Sequence, residues 1–169
     1  VKNKFSEIFG VSTIVVFSPG RINLIGEHTD YNDGYTFPAA IDKGIALAIA
    51  KTKDENSTAF AIDKDEHYTF SLNEVNRIEK GGWRNYILGV IGEIQKLGIE
   101  VGNFNLAFSG NIPGGAGMSS SAALENSVAF ALNELFELNL TKKQMILVSQ
   151  KAEHNYAKVN CGIMDQYAS

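Results

Sequence analysis

Two periods govern the apolar positions of this chain. Ile45, Leu47 and Ile49 alternate with Ala46, Ala48 and Ala50 after Gly44, the period of a strand. Residues 58–62 and 67–72 alternate in the same way, with Tyr68, Phe70 and Leu72 on one face. The polar run Asp63-Lys64-Asp65-Glu66 between them predicts a hairpin. Phe104, Leu106 and Phe108 mark a further strand, and residues 14–17 another, running into Ser18-Pro19-Gly20. Elsewhere the spacing is three and four. Ile87, Val90, Ile91, Ile94 and Leu97 stripe a helix from about Trp83 to Leu97, with Gly98 as its stop. Leu124, Val128, Ala131 and Leu135 stripe a longer one from about Ser119 to Phe136. Thr141 and Gln144 form a capping box for a helix to about Lys158. Asn160-Cys161-Gly162 breaks it, and Ile163 begins another, while residues 3–9 suit a short helix. Strands come first and helices mostly later, so the expected class is α+β.

Composition narrows the partners. The 169 residues suffice for one domain with a sizeable core, and 44% of them are apolar. A net charge of -4 argues against nucleic acid as a partner, because no basic face could drive counterion release. Cys161 is the single cysteine, which excludes an intrachain disulfide and fits a reducing cytoplasm. No apolar run is long enough for a signal peptide or a membrane span, so no membrane partner is expected. The first residue is not Met and the last ones lie in a predicted helix, from which a fragment is expected.

Three stretches carry chemistry. In Gly20–Tyr31, Arg21, Asn23, Glu27, His28 and Asp30 crowd together with only Ile22, Leu24 and Ile25 as apolar support. Burying so many polar groups requires partners, which predicts a pocket for a hydroxyl-rich ligand with one arginine for an anion. The plainer alternative is a solvated turn with a salt bridge. The second stretch, Gly110 to Ala123, lies between a strand and a helix and holds Gly114, Gly115 and Gly117. Backbone N–H groups and the helix start would converge there on an anion. No lysine follows, so it is not a Walker A loop, and the dinucleotide pattern is incomplete. Ser119, Ser120 and Ser121 could serve phosphate oxygens or Mg²⁺; the alternative is a tight turn with a serine cap. The third stretch runs from Cys161 to Gln166. Asp165, three residues after Gly162, reads as a first-turn acid or as a base. Glu153 sits at the edge of a buried helix face, and Cys161 reads as a small core residue.

In this order the stretches resemble the three signature motifs of the GHMP small-molecule kinases. G-R-I-N-L-I-G-E-H-T-D-Y closely matches the galactokinase branch, P-G-G-A-G-M-S-S-S-A-A resembles the nucleotide loop, and E-H-N-Y-A-K-V-N-C-G-I-M-D-Q again resembles galactokinases. The resemblance implies a mixed sheet packed against helices, of the ribosomal-protein-domain type. It makes residues 1–169 a single domain, the N-terminal lobe of a two-lobed kinase whose second lobe is absent. It also implies transfer of a phosphoryl group from ATP to the C1 hydroxyl of galactose. Asp165 would take that hydroxyl's proton, with Arg21 beside the transferred group. Glu27, His28 and Asp30 would hold sugar hydroxyls, with Gly162 against the sugar. Gly114, Gly115, Ala116, Gly117, Met118, Ser119, Ser120 and Ser121 would cradle the nucleotide phosphates. Ser120 or Ser121 would join Glu153 on Mg²⁺. Trp83 would lie near adenine, or simply in the core. The isolated lobe is expected to have little or no activity. Two other functions fit the motifs: a kinase for N-acetylgalactosamine or arabinose, and a non-catalytic sensor of galactose and ATP. The intact Ser121-Ala122 pair argues against the sensor.

Overall fold

The computed structural model describes residues 1–169 except Glu27, His28, Asp33 and Gly114. Five strands form one mixed sheet: β1 (Ile14–Asn23), β2 (Pro38–Lys51), β3 (Ser57–Ala61), β4 (Glu66–Phe70) and β5 (Phe104–Gly110), in the spatial order β1-β2-β5-β3-β4. All pairings are antiparallel except β3 with β5. The expected hairpin is β3–β4, joined by a short 3-10 turn at Ile62–Lys64. The α+β expectation of a mixed sheet holds, but β5 arrives between helices, which is how it can pair parallel to β3.

The alternation in β2 reflects two covered faces. Leu47 and Ile49, with Leu106, Phe104 and Phe108 of β5, join the main core beneath α2 (Trp83–Gln95), α3 (Ser120–Phe136) and α4 (Lys142–Ala152). Ala48 and Ala107 face the other way, where α1 (Lys2–Phe9) lays Phe5 over them. Alanine suits that side because a helix ring, rather than a second large residue, fills the space. Between α2 and α4, a Cβ at Gly89 would sit 2.8 Å from the Ala152 Cβ, so only glycine permits the helices to close.

Three elements depart from the periodicity. β1 continues past Phe17 through Pro19 to Asn23. It is an edge strand, where the missing N–H of proline is tolerated. Its register then slips: Pro19 faces Gly44 and Arg21 faces Ala40, so two steps on β1 span four on β2. Second, α4 opens on the expected capping box, but past Ala152 it widens into a π-helical turn, Glu153–Ala157, ending at Lys158 in left-handed backbone. Third, α3 begins at Ser120, and Ser119 before it has left-handed backbone (φ 56, ψ 48). A final helix, α5 (Met164–Ala168), follows the break at Gly162.

Candidate functional site

The slip in β1 delivers Arg21. A Cβ at Gly20 would lie 2.7 Å from the Met118 carbonyl, so glycine lets β1 approach the loop before α3. The Arg21 N–H donates to that same carbonyl at 3.2 Å. Its guanidinium then spans two motifs. Nε donates to Asp165 Oδ1 at 2.7 Å, Nη2 lies 2.6 Å from the same oxygen, and Nη1 donates to the Gly117 carbonyl at 2.5 Å. The pair is largely shielded, with side chains 13% and 20% exposed, so water screens it less than a surface pair.

Asp165 has a second anchor. Ser119 Oγ donates to its Oδ2 at 2.5 Å. This overturns the serine-cap alternative: Ser119 makes no capping bond to α3, because its hydroxyl is committed to Asp165. A non-glycine residue in left-handed backbone costs about 1–2 kcal/mol, and that bond helps hold it. Gly115 (φ 71) and Gly117 (φ 65) take similar conformations. Arg21, Pro113, the loop from Gly115 to Ser121 and Asp165 line a cleft of about 250 Å³. The uncapped start of the 17-residue α3 opens into it. Unpaired N–H donors, the helix dipole and a guanidinium together favour an anion there.

Behind the loop, Ser121 Oγ donates to Glu153 Oε1 at 2.8 Å. Glu153 is 5% exposed, so the inward reach expected for it is realised. Its Oε2 accepts from Gln166 Nε2 at 2.9 Å and from Cys161 Sγ at 3.4 Å. Of the two candidate metal serines, Ser121 meets Glu153 while Ser120 is exposed. A hydroxyl beside a carboxylate is a hard oxygen pair that suits Mg²⁺. Among the described residues there is no cluster of three or more His, Cys, Asp or Glu that could hold a metal.

The sugar-grip residues Glu27 and His28 lie outside the described residues, as does Gly114 of the loop. Asp30 is described. Its Oδ2 accepts from the Met164 N–H at 3.4 Å, at the start of α5. Its carboxylate occupies the space a Cβ on Gly162 would need. Gly162 therefore makes room for Asp30, joining the first motif to the third. Trp83 lies in the main core, 8% exposed, edge-on to Phe108 at 5.3 Å, with Nε1 donating to Glu66 at 2.9 Å. It does not line the cleft, and the packing alternative describes its surroundings.

Ser119 as a partner of Asp165, and Gln166 and Glu125 beside Glu153, were not singled out for these contacts from sequence. The available signal was spacing: Glu125 follows Ser121 by one helical turn, amid the apolar Ala122, Ala123 and Leu124.

Residues 3–51 match the family described as the galactokinase galactose-binding signature, and residues 85–169 match the GHMP kinases N terminal domain. The chain is 42% identical over 170 residues to a galactokinase of Clostridium tetani, covering 99% of this chain and 43% of that protein. It is 47% identical over 158 residues to one of Thermosipho africanus, covering 91% and 42%. The chain thus spans less than half the length of these curated relatives. The crystal structure of Lactococcus lactis galactokinase complexed with galactose superposes with a TM-score of 0.92 at 41% identity, over 99% of this chain and 44% of that one. The Methanococcus jannaschii mevalonate kinase, 21% identical over 94% of this chain and 50% of its own, shares the fold with a TM-score of 0.80. No described helix is long and apolar enough to cross a membrane.

Two predictions follow from the geometry. Gly162→Ala drives a methyl group into Asp30 and should destabilise the chain by about 1–3 kcal/mol, read from denaturant midpoints; an unchanged midpoint would show that Asp30 has room to move. Burial, reinforced by the Glu153 charge, raises the Cys161 thiol from 9.0 to about 12, so at pH 8 it stays protonated in the fold and ionises normally once unfolded. Alkylation of the native chain at that pH should be at least roughly tenfold slower than that of the unfolded chain, as followed by mass spectrometry; equal rates would show that the thiol is not held protonated by the fold.

Proposed function

The chain belongs to the GHMP kinase family, and on that premise we propose that the whole protein phosphorylates galactose at its C1 hydroxyl, using ATP. The observation that carries the reading is the pairing of Arg21 with Asp165 at the mouth of the glycine loop. The galactose-binding signature match over residues 3–51 and the likeness to a galactose-bound galactokinase support the choice of sugar.

In this reading the nucleotide phosphates sit against the start of α3 and the loop backbone. Asp165 accepts the proton of the sugar's C1 hydroxyl as that oxygen bonds to the γ-phosphorus. The bond from phosphorus to the bridging oxygen breaks, and ADP leaves with the electron pair. Arg21 neutralises negative charge on the transferring group, while its contact with the Gly117 carbonyl fixes its distance from the loop. Ser119 already donates to Asp165 Oδ2, so the sugar hydroxyl would share or displace that bond. Ser121 and Glu153 would hold Mg²⁺, which supplies charge neutralisation on the phosphates. Asp30, and Glu27 and His28 from the same motif, would hold sugar hydroxyls. A site of such polar partners rejects an epimer strongly, because the wrong hydroxyl leaves them unpaired. The relatives' additional length would supply the far wall of the cleft and exclude water, so the 169-residue chain alone would turn over little.

A coupled ADP-release assay with galactose tests this. The whole protein should be active, Asp165→Asn should lose at least a hundredfold in kcat, and the 169-residue chain should give no more than background. Surviving turnover in Asp165→Asn removes Asp165 as the base. A panel including N-acetylgalactosamine and arabinose reports which sugar is preferred.

A further inference from the structure

The glycine loop is held at two ends, and the Arg21–Asp165 pair accounts for one of them. Its far end, at Gly117, Met118 and Ser119, bonds to Arg21 and Asp165. Its near end leaves β5 after Gly110, outside the cleft. On one side of that exit, Asp63 accepts from the Ser109 hydroxyl at 2.6 Å and from the Gly110 N–H at 2.7 Å. On the other side, Asn111 and Gly44 of β2 bond to each other twice. The Asn111 N–H donates to the Gly44 carbonyl at 3.2 Å, and the Gly44 N–H donates to Asn111 Oδ1 at 2.8 Å.

The second of these bonds departs from a regular ladder. An antiparallel hydrogen-bonded pair exchanges two main-chain bonds. Asn111 gives its N–H to that exchange but puts a side-chain oxygen where its carbonyl would go. Gly44 is satisfied, and the main chain at Asn111 is free to turn out of the sheet. Ile112 comes next, kept extended by the following Pro113. Its side chain lies against Gly20, the residue before Arg21: a Cβ on Gly20 would come 2.9 Å from Ile112 Cδ1. Gly44 itself cannot shift to compensate. It is buried, it faces Pro19 where the register of β1 slips, and a Cβ on it would sit 2.3 Å from the Ser18 carbonyl. One residue of β2 therefore borders both the strand that delivers Arg21 and the strand that delivers the loop.

We propose that Asn111 is a positioning residue for the glycine loop: its side chain ends the β2–β5 ladder and fixes where the loop leaves the sheet. The inference rests on the reading of that loop as a cradle for nucleotide phosphates. Without the side-chain oxygen, the buried Gly44 N–H is left unpaired, which is costly, or it takes the main-chain carbonyl of residue 111. The latter carries the strand one residue further, about 3.4 Å, and draws Ile112 and Pro113 away from Gly20. Pro113 lines the cleft, so the displacement reaches the phosphate end. Arg21, Ser119 and Asp165 keep their own bonds to one another.

Calorimetric titration of the whole protein with ADP, and separately with galactose, tests this. Asn111→Ala should weaken ADP binding about tenfold and leave galactose binding unchanged, a split that general loosening of the sheet would not produce. Asn111→Asp keeps an acceptor of the same shape and should bind ADP within about threefold of the parent, the difference being its charge near an anion. Hydrogen exchange needs no ligand: the Gly44 amide should exchange slowly in the parent, and rapid exchange there overturns the proposal. Equal ADP affinity in the parent and Asn111→Ala also overturns it, while leaving the kinase reading in place. A parent that binds no ADP removes that reading and this proposal with it. Parallel loss of both ligands, failure of Asn111→Asp to restore ADP binding, or failure of Asn111→Ala to fold each overturns it too, since the side chain would then serve the sheet and not the loop.

Discussion

The Arg21–Asp165 contact is the constraint around which the other features of the site are arranged. Its partners are 144 residues apart, one on an edge strand and the other on the last short helix. A guanidinium and a carboxylate brought this far out of water lose hydration that only close, multiple contacts can offset. The structure supplies them: two guanidinium nitrogens on Oδ1, Ser119 on Oδ2, and the Gly117 carbonyl on the remaining guanidinium nitrogen. Each ties a different segment to the pair. The register slip in β1, the glycine at position 20 and the left-handed turn at Ser119 all make sense as conditions for those bonds to form.

The same arrangement leaves the start of α3 unusual. Helices are commonly capped by a serine or threonine whose side chain takes one of the first free N–H groups. α4 follows that rule through Thr141. α3 has serines at its start and uses none as a cap. Ser119 turns to Asp165 and Ser121 to Glu153, so the first-turn N–H groups keep their capacity for an external acceptor. Local stability is given up where an anion would otherwise have to compete with a hydroxyl.

Much of this was legible in the sequence. The core stripes of α2 and α3, the alternation of β2 and β5, the β3–β4 hairpin and the capping box of α4 each follow from short-range periodicity or from a motif with a local mechanism, except that Leu97, read as part of the α2 stripe, lies past the helix end and is exposed. The site segments were legible too, because their polar residues were crowded beyond what a solvated turn explains. What was hidden depends on tertiary placement. Pro19 looked like the end of a strand because its role depends on β1 being an edge, which no local pattern records. The π-helical turn after Ala152 leaves the heptad-like spacing intact for too few residues to register. Ser119 read as one of three loop serines for phosphate, and its bond to Asp165 could not be seen because that partner is 46 residues downstream. Glu125 looked unremarkable because a lone glutamate in a helix is usually solvated, and only its complete burial says otherwise.

The order of these segments along the chain has a consequence for biosynthesis. At about 5–20 residues per second, a ribosome needs roughly seven to thirty seconds to go from Arg21 to Asp165. β1 can pair with β2 long before that, since the two are neighbours in sequence. Through that interval the Arg21 guanidinium and the Asp30 carboxylate have neither Asp165 nor the turn at Gly162 to meet. The sheet can therefore assemble during translation, whereas the site it carries is completed only when α5 has left the exit tunnel.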